Sequence, residues 1–412
     1  MRARTTLSGV LLFAAATAFG CGGGSGSTRQ VLVDYNNPDF ANIVLSYFPD
    51  AVTVHPGDTV HFKQAWNGEP HSVTMGTLVD KGLAIVNPLI AKYPDKSSAP
   101  QEALDQADAV FKTLPFMFGD TPDDVNQAAA QPCYLDSGTI ADPKKPCPKR
   151  AQPLFTGKQA YYSSGFIPYA GNNGNSFDVK LAPDIKPGSY RFYCNFHGPE
   201  MQGQIIVKPK GAAIPSQSKV DEAALSQARS KTGKLKKSLD KATAGYSLEK
   251  AIGVAGFPIS DNQKAKLKDA YLAGFGTQDN NPALANEFLP RTIHAKVGEK
   301  VTWVFVGAHT VSFDVPRYFP ILAINKDGTV RTDKRANSGN GPKFPDNYPD
   351  NAGDVFIVDG GSWNGTGFHN SGISLDTPEN AAAAYSLTFT KVGTYQYACL
   401  IHPKMVGTVV VK

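Results

Sequence analysis

The chain has 412 residues, enough for two or three domains, and its apolar runs are short and interrupted by 39 glycines and 30 prolines, which favours β-sandwiches over helical folds. A formal net charge of +5, without a basic stripe or a nucleic-acid-binding motif, excludes nucleic acid as the expected partner.

The amino-terminal MRARTTLSGVLLFAAATAFGC has a short basic start, an apolar core too short to span a bilayer comfortably, and small residues before Cys21. It resembles a bacterial lipoprotein signal over residues 1–20, with cleavage before Cys21 and lipid on that thiol. Ala18 and Phe19 depart from the usual lipobox, so ordinary cleavage and an uncleaved anchor stay open. Residues 21–27, CGGGSGS, fit a flexible tether for an anchored domain. The expected location is extracytoplasmic, at the bacterial cell membrane, in the periplasm or on the cell surface.

A first unit is expected over residues 28–210. Alternation in AVTVHPGDTVHF, from Ala51, predicts two strands joined by a turn at Gly57. EPHSVTM follows with His71, and Met75 in the same run reads as core. Between His71 and Cys194, 123 positions on, lies a long insertion suited either to recognition or to structural cover. It contains Cys133 and Cys147, for which an oxidising compartment makes a disulfide the default. Closing a loop of about 15 residues contributes on the order of 3 kcal/mol by chain entropy, less any strain. The unit ends in YCNFHGPEM, which supplies Cys194, His197 and Met201, and then the apolar GQIIVK.

Residues 211–267 read as a basic, partly helical linker. Val220, Ala224, Leu225 and Ala228 recur at helical spacing, with a break expected near Gly233 and a second short helix around DNQKAKLKDAYLAG. The basic run from Lys231 to Lys241 reads as a solvated face, with attraction of an acidic partner or anionic lipid as the other reading.

The second unit, 268–412, repeats the first. NNPALANEFLPRTIHAKVGEKVTWVF, from Asn280, matches NNPDFANIVLSYFPDAVTVHPGDTVHF, from Asn36, with Pro290 on Pro49 and Gly298 on Gly57. GAHTVSF places His309 opposite His71 and Phe313 opposite Met75. GFHNSGI echoes AYYSSGF, and its His369 sits in a Gly-rich insertion where a loop would expose it. The unit closes with ACLIHPKM, supplying Cys399, His402 and Met405, and then GTVVVK.

Each unit therefore offers two imidazoles, one thiolate and one thioether: His71, Cys194, His197 and Met201 in the first, and His309, Cys399, His402 and Met405 in the second. Soft sulfur suits Cu(I) and imidazole nitrogen suits Cu(II), so a trigonal His2Cys set with a weak axial Met fits a copper ion that changes oxidation state. A single Cys near a His is more often half of a disulfide or a buried thiol. The constellation occurs twice, which that explanation does not account for.

With these loops the chain resembles the cupredoxins, the blue-copper family of plastocyanin, amicyanin and pseudoazurin. The second loop is similar to the amicyanin spacing, and the first lies between that and plastocyanin. The resemblance implies an all-β chain of two Greek-key sandwiches joined by a partly helical linker, with each ligand loop capping one end. It implies two type 1 copper ions per chain and single-electron exchange with redox partner proteins, a donor and an acceptor. It also implies that His197 and His402 lie on the solvent side. Copper oxidases and nitrite reductases share the fold but place a His beside the ligand Cys. Here Tyr193 and Asn195 flank one Cys and Ala398 and Leu400 the other. The remaining histidines, His55, His61, His294 and His369, are too few for a trinuclear cluster; a catalytic copper using His369 at a subunit interface, and a copper-handling role, are the rival expectations. His55, His61 and His294 read as ordinary strand residues.

Overall fold

A computed structural model describes residues 26–64, 69–93, 99–111, 114, 125–136, 144, 145, 147, 151–167, 175–257, 259–277, 281–345, 354–374 and 382–412. The leader, Cys21 and most of the tether lie outside the described residues. The chain begins with β1 (Thr28–Val33), β2 (Asn42–Val44), β3 (Tyr47–Phe48), β4 (Ala51–Val54), β5 (Thr59–Gln64) and β6 (His71–Met75). The first insertion holds α1 (Thr77–Lys92), α2 (Gln101–Phe111), α3 (Gln127–Ala130) and β7 (Cys133–Leu135). β8 (Tyr161–Ile167), β9 (Ser176–Lys180), β10 (Gly188–Cys194) and β11 (Gly198–Val207) complete the first half.

Strands β3-β1-β5-β9 form one sheet and β4-β11-β10-β6-β8-β7 the other. β5 shows why they stack: Val60, Phe62 and Gln64 alternate inward while Thr59, His61 and Lys63 face out. The buried residues meet those of the facing sheet, including Val52, Val73, Met75, Phe192 and Ile205. Met75 is core, as its alignment with Phe313 implied. Outside this sandwich, Val79, Leu83 and Val86 line one face of α1 and pack on Tyr193 together with Val110 and Leu114. The first insertion thus covers the back of the strand that ends in Cys194. The Cys133–Cys147 disulfide is present, with Cα atoms 5.5 Å apart.

The linker forms α4 (Gln217–Thr243), α5 (Leu248–Ala255) and α6 (Asp261–Lys266). Contrary to expectation, α4 runs unbroken through Gly233. A helical glycine costs only about 1 kcal/mol, and Ala224, Ala228, Leu235, Leu239 and Ala242 bury a continuous stripe on both sides of it. The second expected helix is shorter than its pattern. Ser260 and Gln263 cap α6 reciprocally, but Asp269 takes a φ of 64° and turns the chain, so Tyr271-Leu272-Ala273-Gly274 enters a strand instead. α5 was not anticipated; it opens on a Ser247 cap and closes at Gly256 in the left-handed region.

The second half comprises β12 (Tyr271–Phe275), β13 (Ala283–Leu289), β14 (Thr292–Ala295), β15 (Lys300–Phe305), β16 (Ser312–Phe313), β17 (Leu322–Ile324) and β18 (Val330–Thr332). They are followed by β19 (Val355–Trp363), β20 (His369–Asn370), β21 (Ala382–Phe389), β22 (Gly393–Ala398) and β23 (Val406–Val411). Its sheets, β19-β21-β15-β12-β13-β2 and β14-β23-β22-β16-β20, enclose a core built on Trp303, Phe313, Tyr397 and Phe389. β2 comes from the first half: Val44, Ile43 and Asn42 pair with Ala283, Leu284 and Ala285. It thereby covers the edge of β13, whose unpaired N–H and C=O groups would otherwise face outward. The outer face of that sheet is buried under α4 and α5. The linker is therefore a packed layer, and the architecture is two β-sandwiches joined through helices.

A further contact locks the halves together. Val125, Ala129, Ala130 and Phe166 form one apolar cluster with Leu322 and Val330. Gln127 on α3 donates Nε2–H to the Val330 carbonyl at 2.9 Å and accepts the Val330 N–H at 2.8 Å.

Candidate metal centres

Antiparallel pairing of β10 with β6 sets Phe192 against Met75 and Tyr193 against Thr74, which carries Cys194 to the start of β6, where His71 sits. The tight turn after Cys194 then returns His197 over both. In the second half β22 pairs with β16, Tyr397 against Phe313 and Ala398 against Ser312, and Cys399 reaches His309 in the same way.

The local hydrogen bonds match. The Ser72 N–H points at Cys194 Sγ at 3.3 Å and the Thr310 N–H at Cys399 Sγ at 3.4 Å. Ser72 Oγ accepts the Asn195 N–H at 2.7 Å, and Thr310 Oγ1 accepts the Leu400 N–H at 2.8 Å. Ser164 and Ser371, from the two echoing insertions, accept the N–H groups of Val73 and Val311 at 2.8 and 2.9 Å. Each loop is thus tied at its backbone independently of any ion, so the ligands are ordered in advance.

In the first centre His71 Nδ1 lies 3.1 Å from His197 Nδ1, which is 3.5 Å from Cys194 Sγ. In the second, His309 Nδ1 and His402 Nδ1 are 2.9 Å apart, and Cys399 Sγ is 4.0 and 3.5 Å from them. A metal about 2.0 Å from nitrogen and about 2.3 Å from sulfur in a trigonal plane separates its ligand atoms by roughly 3.5 Å. The donor sets fit a single small ion. Met201 and Met405 are fully buried, in the same apolar clusters as Cys194 and Cys399.

The distal nitrogens select the ligating tautomer. With His71 Nε2–H directed at Asp34 Oδ2, 3.4 Å away, and His309 Nε2–H at the Val306 carbonyl, 3.0 Å away, both Nδ1 atoms present lone pairs inward. His197 Nε2 faces Glu69 Oε1 at 3.3 Å. Burial opposes charge throughout, yet the adjoining histidines hold both thiols well below the ordinary cysteine range, as a metal-binding thiolate requires. Burial likewise pushes Glu69 up, but His197 foremost, then His402 and His71, bring it down to about 2. Burial lowers His71, while Asp34 and Cys194 raise it to about 10, so a bound ion takes the place of the proton on Nδ1. Among the described residues no carboxylate is in hydrogen-bond contact with His309, which is lowered by burial.

Two expectations need correction. His402 does not open to solvent, being 3 % exposed, and the His197 side chain, 9 % exposed, is largely covered by Glu69 and by the edge-on Phe196 ring. Glu69 is near enough for its charge to act on His402 and His309 of the second centre as well. His369 is likewise buried. Its Nε2 bonds the Tyr385 hydroxyl at 2.7 Å and its ring rests on Gly341, so it presents no face to a subunit interface. His61 and His294 do lie in strands, whereas His55 follows β4 and bonds the Ala212 carbonyl. Among the described residues, the clusters of His, Cys, Asp or Glu close enough to share an ion are His71, Cys194, His197 and His309, Cys399, His402.

Sequence reasoning missed Asp34, Glu69, Asn195 and the paired Ser72 and Thr310. Ser72 and Thr310 follow the histidines directly and were legible as matched hydroxyls. Asp34 lies 37 positions before His71, and nothing local marks it.

No protein-family model and no curated protein matches the chain. Partly similar solved structures include a Cu(I) form of an amicyanin mutant, 23% identical over 30% of this chain and 70% of that one, with a TM-score of 0.16. A second amicyanin mutant, in the oxidised state, is 25% identical over the same shares, with a TM-score of 0.16. Reduced auracyanin from Roseiflexus castenholzii is 16% identical over 45% of this chain and 100% of that one, with a TM-score of 0.21. The structure of the chain itself places a His, Cys, His cluster at one strand end of each β-sandwich.

Proposed function

We propose that the protein is an extracytoplasmic electron carrier, tethered to the membrane by lipid on Cys21 and holding two mononuclear type 1 copper centres. The observation that carries this reading is the pair of buried His, Cys, His clusters whose Nδ1 and Sγ atoms converge at single-ion spacing. When bound, copper supplies a one-electron couple between Cu(I) and Cu(II). His71, Cys194, His197 and Met201 would hold one ion, and His309, Cys399, His402 and Met405 the other. The chain's part is to keep both thiols ionised, to fix each imidazole by its distal hydrogen, and to exclude water from the sulfur. Because the loops are ordered by their own backbone bonds, oxidation and reduction need little rearrangement. The domain limits that go with this reading are 28–210 and 268–412, with 211–267 between them. Its partners are a donor and an acceptor redox protein.

Copper stoichiometry with visible and paramagnetic-resonance spectra tests it, on the mature form beside Cys194→Ser and Cys399→Ser. Two coppers per chain, each blue and each lost with its own cysteine, support the carrier. A non-blue copper that survives both substitutions refutes it in favour of an enzyme. Mass spectrometry of the membrane-bound form checks the lipid on Cys21.

A further inference from the structure

The centres have matching thiolate surroundings and unequal imidazole surroundings. Leu32 pairs with Phe48, just before Pro49, and Leu272 pairs with Leu289, just before Pro290, so two residues on Asp34 falls on Gly274; with His71 aligned on His309, Glu69 falls on Gly307. The backbone agrees at the first of these, where φ is 66° at Asp34 and 90° at Gly274. Two acids beside the first centre are thus glycines beside the second.

The consequences are visible at all four distal nitrogens. Asp34 is fully buried, its Oδ1 accepts the Val44 N–H at 2.6 Å, and its Oδ2 faces His71 Nε2. Glu69 faces His197 Nε2. At the second centre the bare Gly274 leaves the space that the His309 ring occupies, and His309 Nε2 meets the neutral Val306 carbonyl at 3.0 Å. His197 Nε2 and His402 Nε2 are both buried without a partner in hydrogen-bond geometry among the described residues, but His197 Nε2 has the Glu69 carboxylate 3.3 Å away. An oxidised ion carries one more positive charge than a reduced one. Nearby carboxylates in dry surroundings therefore favour the oxidised state, and an imidazole bonded to a carboxylate is the stronger donor to a metal.

We propose that Asp34 and Glu69 hold the first centre at a lower reduction potential than the second, so that a chain carrying one electron keeps it at the second centre. This rests on the copper reading above. The charge of Glu69 acts on His402 as well, so its effect extends to the second centre, whereas the contact of Asp34 is with His71 of the first.

The test is redox titration of two single-centre forms, Cys399→Ser reporting the first centre and Cys194→Ser the second. We expect the electron to favour the second centre at least ten-fold, about 59 mV for one electron. Asp34→Asn should raise the first potential by about ten-fold in occupancy, about 59 mV, and leave the second in place. Asparagine tolerates the positive φ. Asp34→Gly, which uses the residue the second centre already has at that turn, should do the same. Glu69→Gln should raise the first potential most and the second to a smaller degree. Equal or reversed potentials in forms that bind blue copper, or potentials unmoved by all three substitutions, overturn the gradient alone. Parent forms that bind no blue copper overturn the copper reading and the gradient with it.

Discussion

Replacing Gln127 should loosen the contact that joins the two halves. Gln127 is 7 % exposed and Val330 is 3 % exposed, in an apolar interface with Val125, Ala129, Phe166 and Leu322. The amide accepts the Val330 N–H and donates to the carbonyls of Val330 and Val125, all between 2.8 and 2.9 Å. Gln127→Ala leaves the Val330 N–H and C=O without this partner where water has little access. A stranded buried group costs about 1–3 kcal/mol, and partial water entry into the smaller side chain's space offsets some of it, so the loss should be about 2–4 kcal/mol. Gln127→Met keeps the volume and removes the polar atoms, and it should lose nearly as much. Guanidinium unfolding followed by circular dichroism and by tryptophan fluorescence measures this. Trp303 and Trp363, both in the second sandwich, help show whether the halves still unfold together. A loss below about 0.5 kcal/mol in both variants would refute the view that these hydrogen bonds hold the interface.

Gly274→Ala should disable the second centre selectively, because φ is 90° there and an added Cβ would stand 2.4 Å from His309 Nε2 and 2.2 Å from the Val306 carbonyl. Copper analysis should find the first centre filled and the second weakened at least ten-fold; equal retention would contradict the placement of His309. Gly165→Ala should destabilise more than Gly372→Ala in thermal unfolding: both sit at positive φ, but the first Cβ meets backbone at 2.3 Å and the second meets Lys343 Cβ at 3.1 Å. Replacing both Cys133 and Cys147 with Ala should cost about 3 kcal/mol by loop entropy while leaving copper content unchanged. Asp333, buried and bonded by Arg335 at 2.8 and 3.0 Å, is held below the ordinary carboxylate range because those bonds outweigh burial. A depressed native value means stability that is present above the unfolded carboxylate pKa, about 3.9, and is lost as pH falls through the native one. Asp333→Asn should therefore unfold more easily at pH 7 and converge on the parent under acid; a gap independent of pH would contradict this.

The sequence by itself determined what is set within a few positions: the alternation of β5, the spacing of Cys194, His197 and Met201 and of Cys399, His402 and Met405, and the cysteines of the first insertion. Backbone geometry maps such short intervals directly onto one strand or one turn. The pairing of His71 with Cys194 and of His309 with Cys399 was also legible, because the chain writes the pattern twice. Only the tertiary structure decided the rest. β2 leaves its own half to cover β13, since an open edge is satisfied by whichever strand packs beside it. α4 crosses Gly233 because packing on the sheet outweighs the cost of one glycine. His369 is buried by Tyr385 and Gly341, which a loop-like composition conceals. Asp34 and Glu69 reach the distal nitrogens of the first centre only after the sheets assemble. Burial and the direction of a side chain depend on neighbours remote in sequence, and local pattern does not contain them.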